Sequence, residues 1–209
     1  MLTNLIGVYG AGGCGRGIMP VLRAQYPNAK LVFIDDNLQE GSLNGQPVLH
    51  WQSFLLDRSD DKSVSIAISS PKVRLTIAKR LARAGVPLIE ARAWDTVQMD
   101  CVSIGQGACI SPFVTLASNI QIGHCFHANL YSYVEHDSVI GNYVTLGPGA
   151  KVNGNVNIGD HAYIGSGAVI RQGITIGEHA VVGMGAVVVR DVPRGVTVAG
   201  NPARRLAKD

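Results

Sequence analysis

The chain places a small or aliphatic apolar residue at every sixth position from Ile104 to Val188. Only Ala128 in this series is not isoleucine, leucine or valine. A period of six fits neither the repeat of an α-helix nor the alternation of a flat strand. It indicates a parallel β-helix built from hexapeptides, in which each hexad contributes one short strand and one turn.

A longer period is nested in the first. Glycine follows the aliphatic residue at intervals of eighteen residues, at Gly105, Gly123, Gly141, Gly159 and Gly177. Three hexads therefore make one coil of a triangular prism, and the whole series makes about five coils. We expect these glycines to supply a turn with an unusual backbone angle. Because one coil cannot bury its own aliphatic residues, stability has to come from stacking coils on one another.

A different pattern precedes the repeat. The apolar run Leu5–Tyr9 leads into the glycine-rich segment Gly10–Gly15, then a helical stretch Ile18–Tyr26 and a strand Leu31–Ile34 that ends in two aspartates. This order of strand, G-x-G-x-x-G, helix, strand and carboxylate is typical of Rossmann-like nucleotide-binding domains.

Two further strands and a helix complete this small α/β unit, and we expect them at Ser63–Ser69, Pro71–Ala84 and Val86–Glu90. The prediction is a mixed fold with two domains, residues 1–96 and 97–209, joined through residues 95–101. A unit of this size lacks the second half of a dinucleotide site, so it favours a mononucleotide and disfavours a nicotinamide-dependent oxidoreductase.

The glycine loop suggests where a phosphate binds. Gly12, Gly13 and Cys14 let the backbone approach a phosphate at a helix N-terminus, and Asp35 with Asp36 is placed to hold ribose hydroxyls. A purely structural tight turn is the alternative reading.

Composition excludes several classes of protein. The chain is 46% hydrophobic and 16% charged, so it can build a core, and its net charge of +3 is too small to suggest nucleic-acid binding. No apolar stretch reaches the length of a transmembrane helix, and the N-terminus lacks a signal-peptide pattern. Four cysteines without C-x-x-C spacing read as reduced thiols, which favours a cytoplasmic protein.

Basic residues form two clusters. We interpret the first as a solvated helix face and the second as a surface that attracts ligand phosphates. The first comprises Lys72, Arg74, Lys79, Arg80 and Arg83, and the second comprises Arg190, Arg194, Arg204, Arg205 and Lys208.

The third corner of the prism is irregular, because no glycine follows its aliphatic residue in any coil, whereas glycine follows in every coil of the first corner and in the upper coils of the second. His136 lies on this third corner, flanked by Glu135 and Asp137, and Gly154 follows eighteen residues later, directly above it. A bare glycine leaves room for the imidazole and an accessible N–H. A histidine beside a carboxylate is suited to general-base catalysis. The alternative is an exposed turn residue.

The other histidines of the repeat carry weaker signals. His161 and His179 stack above Tyr143 on the regular first corner and read as surface turns. His124 and His127 bracket Cys125, but the three side chains are expected to point in different directions, so no metal site is predicted.

Together with the tail Val198–Arg204, these motifs resemble the sialic acid O-acetyltransferase superfamily. They are most similar to the enzymes that N-acetylate nucleotide-linked amino sugars, as in bacillosamine synthesis. The resemblance implies a left-handed β-helix, acetyl-CoA as co-substrate, no metal, and a homotrimer with active sites between subunits. It also implies direct transfer to a nucleotide-linked amino sugar, with a UDP-4-amino-4,6-dideoxy sugar as the expected acceptor.

The resemblance implies a role for each site residue. His136 would be the general base, Asp137 would increase its basicity, and the N–H of Gly154 would face the thioester oxygen. Acetyl-CoA would lie near Thr145, Ser166 and Met184, with its far end near Asn201 and Arg204. The acceptor nucleotide would contact Gly12, Gly13, Cys14, Asp35, Asp36 and Ser69.

Two positions depart from the family pattern. Cys14 stands where relatives often carry histidine, and Thr145 stands where they often carry a second histidine. Two alternatives to N-acetylation remain. One is O-acetylation of sialic acid or another sugar hydroxyl, and the other is a non-enzymatic, nucleotide-binding trimeric scaffold.

Overall fold

The computed structural model describes residues 4–206, so Lys208 of the second basic cluster lies outside the described residues. The N-terminal part is an α/β unit with one five-stranded sheet in the order β3-β4-β2-β1-β5. Its strands are β1 (Asn4–Tyr9), β2 (Lys30–Ile34), β3 (Gly41–Leu43), β4 (Gln46–Leu49) and β5 (Asp61–Ile66). Its helices are α1 (Gly13–Gln25), α2 (Trp51–Leu56) and α3 (Pro71–Arg83). Strands β1 and β2 are almost continuously apolar, as expected for the parallel part of a sheet that helices cover on both faces.

The α/β unit differs from the sequence prediction in three places. Helix α1 begins at Gly13, inside the glycine motif, because the loop itself forms the first helical turn. The hairpin of β3 and β4 and the short helix α2 were not predicted. The strand expected at Val86–Glu90 is reduced to a single bridge between Val64 and Leu88.

The remaining strands form three sheets that close a triangular prism, and their strands are parallel except for the antiparallel pair β23 and β24. The first sheet contains β8 (Val102–Ile104), β11 (Ile120–Ile122), β14 (Val139–Ile140), β17 (Asn157–Ile158) and β20 (Thr175–Ile176). The second contains β6 (Ala91–Arg92), β9 (Cys109–Ile110), β12 (His127–Ala128), β15 (Thr145–Leu146), β18 (Tyr163–Ile164), β21 (Val181–Val182), β23 (Thr197–Ala199) and β24 (Arg204–Arg205). The third contains β7 (Val97–Gln98), β10 (Thr115–Leu116), β13 (Tyr133–Val134), β16 (Lys151–Val152), β19 (Val169–Ile170) and β22 (Val187–Val188).

Strand pairing follows the predicted register of eighteen residues. Ile104 pairs with Ile122, Ile122 with Ile140, and Ile140 with Ile158. The aliphatic series points inward and is buried almost throughout, so it forms the core of the prism. Pairing of β6 with β9 starts the first coil at Ala91, so the predicted boundary between residues 96 and 97 falls within that coil.

The glycines of the first corner have a different purpose from the one predicted. A Cβ atom on Gly123 would lie 2.7 Å from the backbone nitrogen of Asn142 in the next coil. These positions are therefore glycine because the coils stack too closely for a side chain. The left-handed backbone lies two residues further on, for example at Cys125 (φ 53°) and Tyr143 (φ 58°).

The turns that follow the strands of each sheet form the three edges of the prism, named here by the sheet they follow. The N-terminal unit packs on the second sheet and the first edge, while the third edge carries residues 135–137. None of the helices in the described part of the chain has both the length and the apolar character needed to cross a bilayer.

Candidate active site

His136 and Asp137 form a hydrogen-bonded pair on the third edge. Nδ1 of His136 lies 2.8 Å from Oδ2 of Asp137, and both side chains are about half exposed. Because the Asp137 carboxylate only accepts, the neutral imidazole of His136 carries its proton on Nδ1 and has its lone pair on Nε2. Asn119, one coil below, donates to the other oxygen of Asp137 at 3.1 Å. The hydrogen bond from His136, followed by the one from Asn119, lowers the pKa of Asp137.

Gly154 lies directly above the imidazole in the next coil. A Cβ atom there would lie 2.6 Å from both Cε1 and Nε2 of His136. Any other residue would therefore displace the ring. Gly154 is buried, and within residues 4–206 its N–H donates to no acceptor.

A second set of residues lies where the N-terminal unit meets the second sheet. The loop after β5 turns its backbone carbonyls toward the β-helix. Nε2 of His127 contacts the Ile66 oxygen at 2.7 Å, and the Thr145 hydroxyl donates to the Ser69 oxygen at 3.0 Å. Arg74 donates to the oxygens of Ile68 and Ser69, both at 2.9 Å. These contacts fix the loop that carries Ser69.

A cavity of about 400 Å³ opens beside this loop, and we call it the glycine-loop cavity. The N-terminal unit and the β-helix both line it, through Gly13, Cys14, Ser69, His127, Asn129 and Pro148. Gly12 precedes the first turn of α1, and neither Gly12 nor Gly13 has a neighbour that a Cβ atom would meet. Three predicted acceptor residues, Gly13, Cys14 and Ser69, are therefore brought together at one cavity with a helix N-terminus.

Cys14 and His127 are adjacent in this cavity. Sγ of Cys14 lies 4.0 Å from Nδ1 of His127. Burial raises the pKa of the Cys14 thiol, although the charge of Arg74 opposes this shift. Burial and the charge of Arg74 lower the pKa of His127 well below its usual value. Both groups are therefore neutral near pH 7, and all four cysteines of the chain are free thiols.

The two predicted ribose ligands already have protein partners. Asp35 accepts the backbone N–H groups of Ala11 and Asn37, both at 3.0 Å, and so braces the glycine loop. Asp36 accepts from Arg80 at 2.7 Å and from the Trp51 N–H at 2.8 Å. Burial opposes the ionisation of Asp36, but its hydrogen bonds outweigh this effect and lower its pKa. A ribose would have to share these carboxylates with the protein.

Thr145 does not have the position predicted for it. The residue is 1% exposed, and its hydroxyl is used by Ser69, because the N-terminal unit covers this part of the second sheet. Its side chain is thus closed to acetyl-CoA within this chain. By contrast, Ser166 and Met184 are exposed one above the other on the second edge, and Asn201 and Arg204 are exposed in the C-terminal tail.

Two residues of the domain contact were missed. Arg74 was assigned to a solvated helix face, but its side chain is completely buried. His127, expected to be a turn residue without a ligand, instead contacts the carbonyl oxygen at the end of β5. The repeat places Cys109, His127 and Thr145 at outward positions of the second sheet, and only the structure shows that all three are buried. No group of three or more metal-binding side chains occurs within the described residues.

The dyad of His136 and Asp137 does not line the glycine-loop cavity of the same chain. The dyad is on the third edge, and the cavity lies against the second sheet and the second edge. The rings of Tyr143, His161 and His179 stack on the first edge, with distances between successive ring centroids of 5.0 and 4.7 Å. They lie away from the dyad and from the cavity.

Known proteins share this architecture along its whole length. The family model of the PglD N-terminal domain matches residues 5–81, and the model of six bacterial transferase hexapeptide repeats matches residues 155–190. The GDP-perosamine N-acetyltransferase of Escherichia coli O157:H7 is 46% identical over 215 residues, which cover 98% of this chain and 97% of that protein.

Two solved structures agree with this assignment. WeeI from Acinetobacter baumannii AYE is 51% identical, with a TM-score of 0.96 over 98% of this chain and 100% of that chain. The acetyltransferase domain of PglB from Neisseria gonorrhoeae FA1090, in complex with acetyl coenzyme A, is 32% identical, with a TM-score of 0.91 over 98% and 100% of the two chains. The chain therefore belongs to the acetyl-CoA-dependent N-acetyltransferases of nucleotide-linked amino sugars, which join a PglD-type N-terminal domain to a left-handed β-helix of hexapeptide repeats.

Proposed function

We propose that this enzyme acetylates the amine of a GDP-linked 4-amino-4,6-dideoxy sugar, with His136 as the general base. The observation that carries the proposal is the 2.8 Å contact between His136 and Asp137 directly beneath Gly154. The sequence alone suggested a UDP sugar. The nucleotide is assigned here to GDP because a relative that matches almost the whole chain is a GDP-perosamine N-acetyltransferase.

The chemistry follows from the orientation of the dyad. The amine nitrogen attacks the thioester carbonyl of acetyl-CoA, and Nε2 of His136 takes the proton that the nitrogen loses as the new C–N bond forms. The carbonyl oxygen becomes an oxyanion that the free N–H of Gly154 is placed to stabilise. The C–S bond then breaks, CoA leaves as the thiol after protonation, and His136 returns to its neutral form.

The active site requires a second copy of the chain. The glycine-loop cavity and the dyad lie on different edges, so an acceptor held in one subunit would meet the base of a neighbour. Outward positions of the third sheet support a contact between copies, since they are mostly apolar, whereas those of the first sheet are mostly polar. The former are Val97, Thr115, Tyr133, Lys151, Val169 and Val187, and the latter are Ser103, Gln121, Val139, Asn157 and Thr175.

The apolar surface continues onto the second edge. Phe113 and Tyr131 stack there at 4.9 Å although they are 50% and 64% exposed. Large exposed apolar surface of this kind marks a protein contact. We assign it to a cytoplasmic homotrimer with three active sites between subunits, in which acetyl-CoA lies along the groove near Ser166 and Met184.

The test is release of free CoA thiol from acetyl-CoA with GDP-, UDP-, CMP- and dTDP-linked amino sugars and with free sialic acid. We expect the GDP-linked 4-amino sugar to be used with the highest kcat/KM, and mass spectrometry to show an amide. Preference for a UDP sugar would overturn the nucleotide assignment. Thiol release with sialic acid alone would indicate O-acetylation, and nucleotide binding without thiol release would indicate a scaffold. Light scattering should give the mass of three chains.

A further inference from the structure

Arg74 is a buried cation at the contact between the two parts of the molecule. Its side chain is completely buried, and all five of its N–H donors reach backbone carbonyl oxygens. Two of these oxygens belong to the loop after β5, at Ile68 and Ser69. The other three belong to the first edge of the β-helix, at Cys125, Tyr143 and Val144.

The position of Arg74 couples the two walls of the glycine-loop cavity. That cavity takes Ser69 from the N-terminal unit and His127 from the β-helix. A planar guanidinium that binds carbonyls on both sides sets the distance between these walls, because its donors leave in fixed directions. Lysine has three donors on a compact ammonium and cannot reproduce this fork.

The charge of Arg74 has no partner of opposite sign. Among the described residues no ion pair gives it a carboxylate, and carbonyl dipoles solvate a charge without neutralising it. Burial lowers the pKa of Arg74 only to about 10, so it remains charged at neutral pH. A buried charge without a partner is costly, and well-packed apolar residues would often be more stable at such a place.

The positive charge of Arg74 acts on groups that line the glycine-loop cavity. Its guanidinium donates at 2.9 Å to the oxygen of Ser69, a residue that lines the cavity. Burial raises the pKa of Cys14 and the charge of Arg74 opposes this shift, whereas burial and the charge of Arg74 together lower the pKa of His127. A diphosphate bound at the N-terminus of α1 beside Cys14 would supply the missing negative charge, and the low dielectric of the interior would strengthen the attraction.

We infer that Arg74 is a positioning residue for the acceptor substrate: it fixes the Ser69 loop against the β-helix and provides the positive charge that favours a nucleoside diphosphate over a monophosphate. The inference rests on the proposed function, because it takes the glycine-loop cavity as the acceptor site.

Two variants separate the positioning of the Ser69 loop from the positive charge, because Arg74→Gln removes the charge and Arg74→Lys keeps the charge without the planar fork. Arg83→Gln, at an exposed position on the same helix, is the matched control. Steady-state thiol release is measured against each substrate in turn, together with inhibition by GDP and GMP. We expect Arg74→Gln to raise the KM for the nucleotide sugar about tenfold or more and to leave the KM for acetyl-CoA within about twofold. The preference for GDP over GMP should shrink in Arg74→Gln and persist in Arg74→Lys.

Circular dichroism and thermal unfolding show whether these variants fold. Thr145→Val is a milder second variant, because it removes one hydrogen bond to the same Ser69 oxygen and keeps the shape of the side chain. We expect it to raise the acceptor KM about threefold without changing the ratio of GDP to GMP inhibition.

Three results would overturn the inference. The first is an unchanged KM for the nucleotide sugar in folded Arg74 variants or in Thr145→Val. The second is an equal rise in the KM values for the nucleotide sugar and for acetyl-CoA. The third is an unchanged preference for GDP over GMP in Arg74→Gln. Failure of the proposed function looks different, since the wild-type enzyme would then release no thiol with any amino sugar. Calorimetric binding of GDP to wild type and Arg74→Gln tests the role of Arg74 independently of turnover.

Discussion

Nδ1 of His136 lies 2.8 Å from Oδ2 of Asp137, the next residue in the same turn. The two side chains can meet because Asp137 has a left-handed backbone with φ of 57°, which turns its carboxylate back toward the ring. The carboxylate thereby selects the tautomer in which Nε2 is the free base.

Replacing His136 with asparagine should abolish most of the chemistry while binding is retained. A general base contributes about 10² to 10⁴ in rate, so kcat should fall by that factor with the acceptor KM within about threefold. The measurement is thiol release at saturating substrates. His179→Asn, on the first edge, is the control and should stay near wild type. Activity of His136→Asn or His136→Ala within about tenfold of wild type would rule out His136 as the base.

Removing the negative charge beside His136 should lower kcat less than replacing His136 itself. Asp137→Asn keeps the size of the side chain but no longer imposes the tautomer, and we expect kcat to fall about tenfold to a hundredfold. Asn119→Ala removes only the hydrogen bond from Asn119 to Asp137, and it should lower kcat less than Asp137→Asn does. The reverse order of these two variants in kcat would contradict the proposed dyad.

Adding a single methyl group above the imidazole should inactivate the enzyme without unfolding it. In Gly154→Ala the new Cβ atom would overlap the His136 ring, so the ring has to leave its position. We expect kcat to fall at least about tenfold, with a melting temperature close to wild type because the ring is at the surface. Gly41→Ala is the matched control, since a Cβ atom there meets nothing within 4 Å. Full activity of Gly154→Ala would mean that the ring position is not required.

Stability should decline in mild acid. The pKa of His127 is lowered in the folded protein by burial and by Arg74. The unfolded chain therefore binds the proton first, and the free energy of unfolding falls as the pH drops below the ordinary histidine value of about 6.5, by up to about 1.4 kcal/mol per pH unit. Above that pH His127 is neutral in both the folded and the unfolded chain, so it no longer changes the free energy of unfolding with pH.

Urea unfolding between pH 7.5 and 5 measures this dependence. His127→Gln keeps a donor for the Ile66 oxygen but cannot titrate, so its decline should be shallower than that of wild type. His50→Gln removes an exposed imidazole and serves as the control. Parallel pH profiles of wild type and His127→Gln would contradict the prediction.

Catalysis should be independent of metal ions. No cluster of metal ligands is found within residues 4–206, and the proposed chemistry uses only the base, the backbone N–H and the thiol leaving group. Prolonged dialysis against EDTA should leave kcat/KM within about twofold. Loss of activity that added zinc or magnesium restores would refute this prediction.

Much of the architecture follows from local pattern. The six-residue series predicted the strands, and the eighteen-residue period predicted their partners, because each coil repeats the same contacts with its neighbours. The same count placed Gly154 above His136, where the structure has it. In the N-terminal unit, the strands of the hairpin of β3 and β4 lack clear alternation, and its only sequence signal is the two-residue turn Asn44-Gly45, which has positive φ at both residues.

What the sequence by itself determined is therefore the periodic part of the protein: the prism, its register, and the pairing of His136 with the bare position above it. Only the tertiary structure decided which side chains the N-terminal unit covers. Arg74 was expected in solvent and Thr145 beside acetyl-CoA, yet both bind the loop of Ser69 in the interior. The physical reason is that a repeat fixes contacts between successive coils, whereas the docking of a separate unit onto one face depends on contacts between residues far apart in the chain.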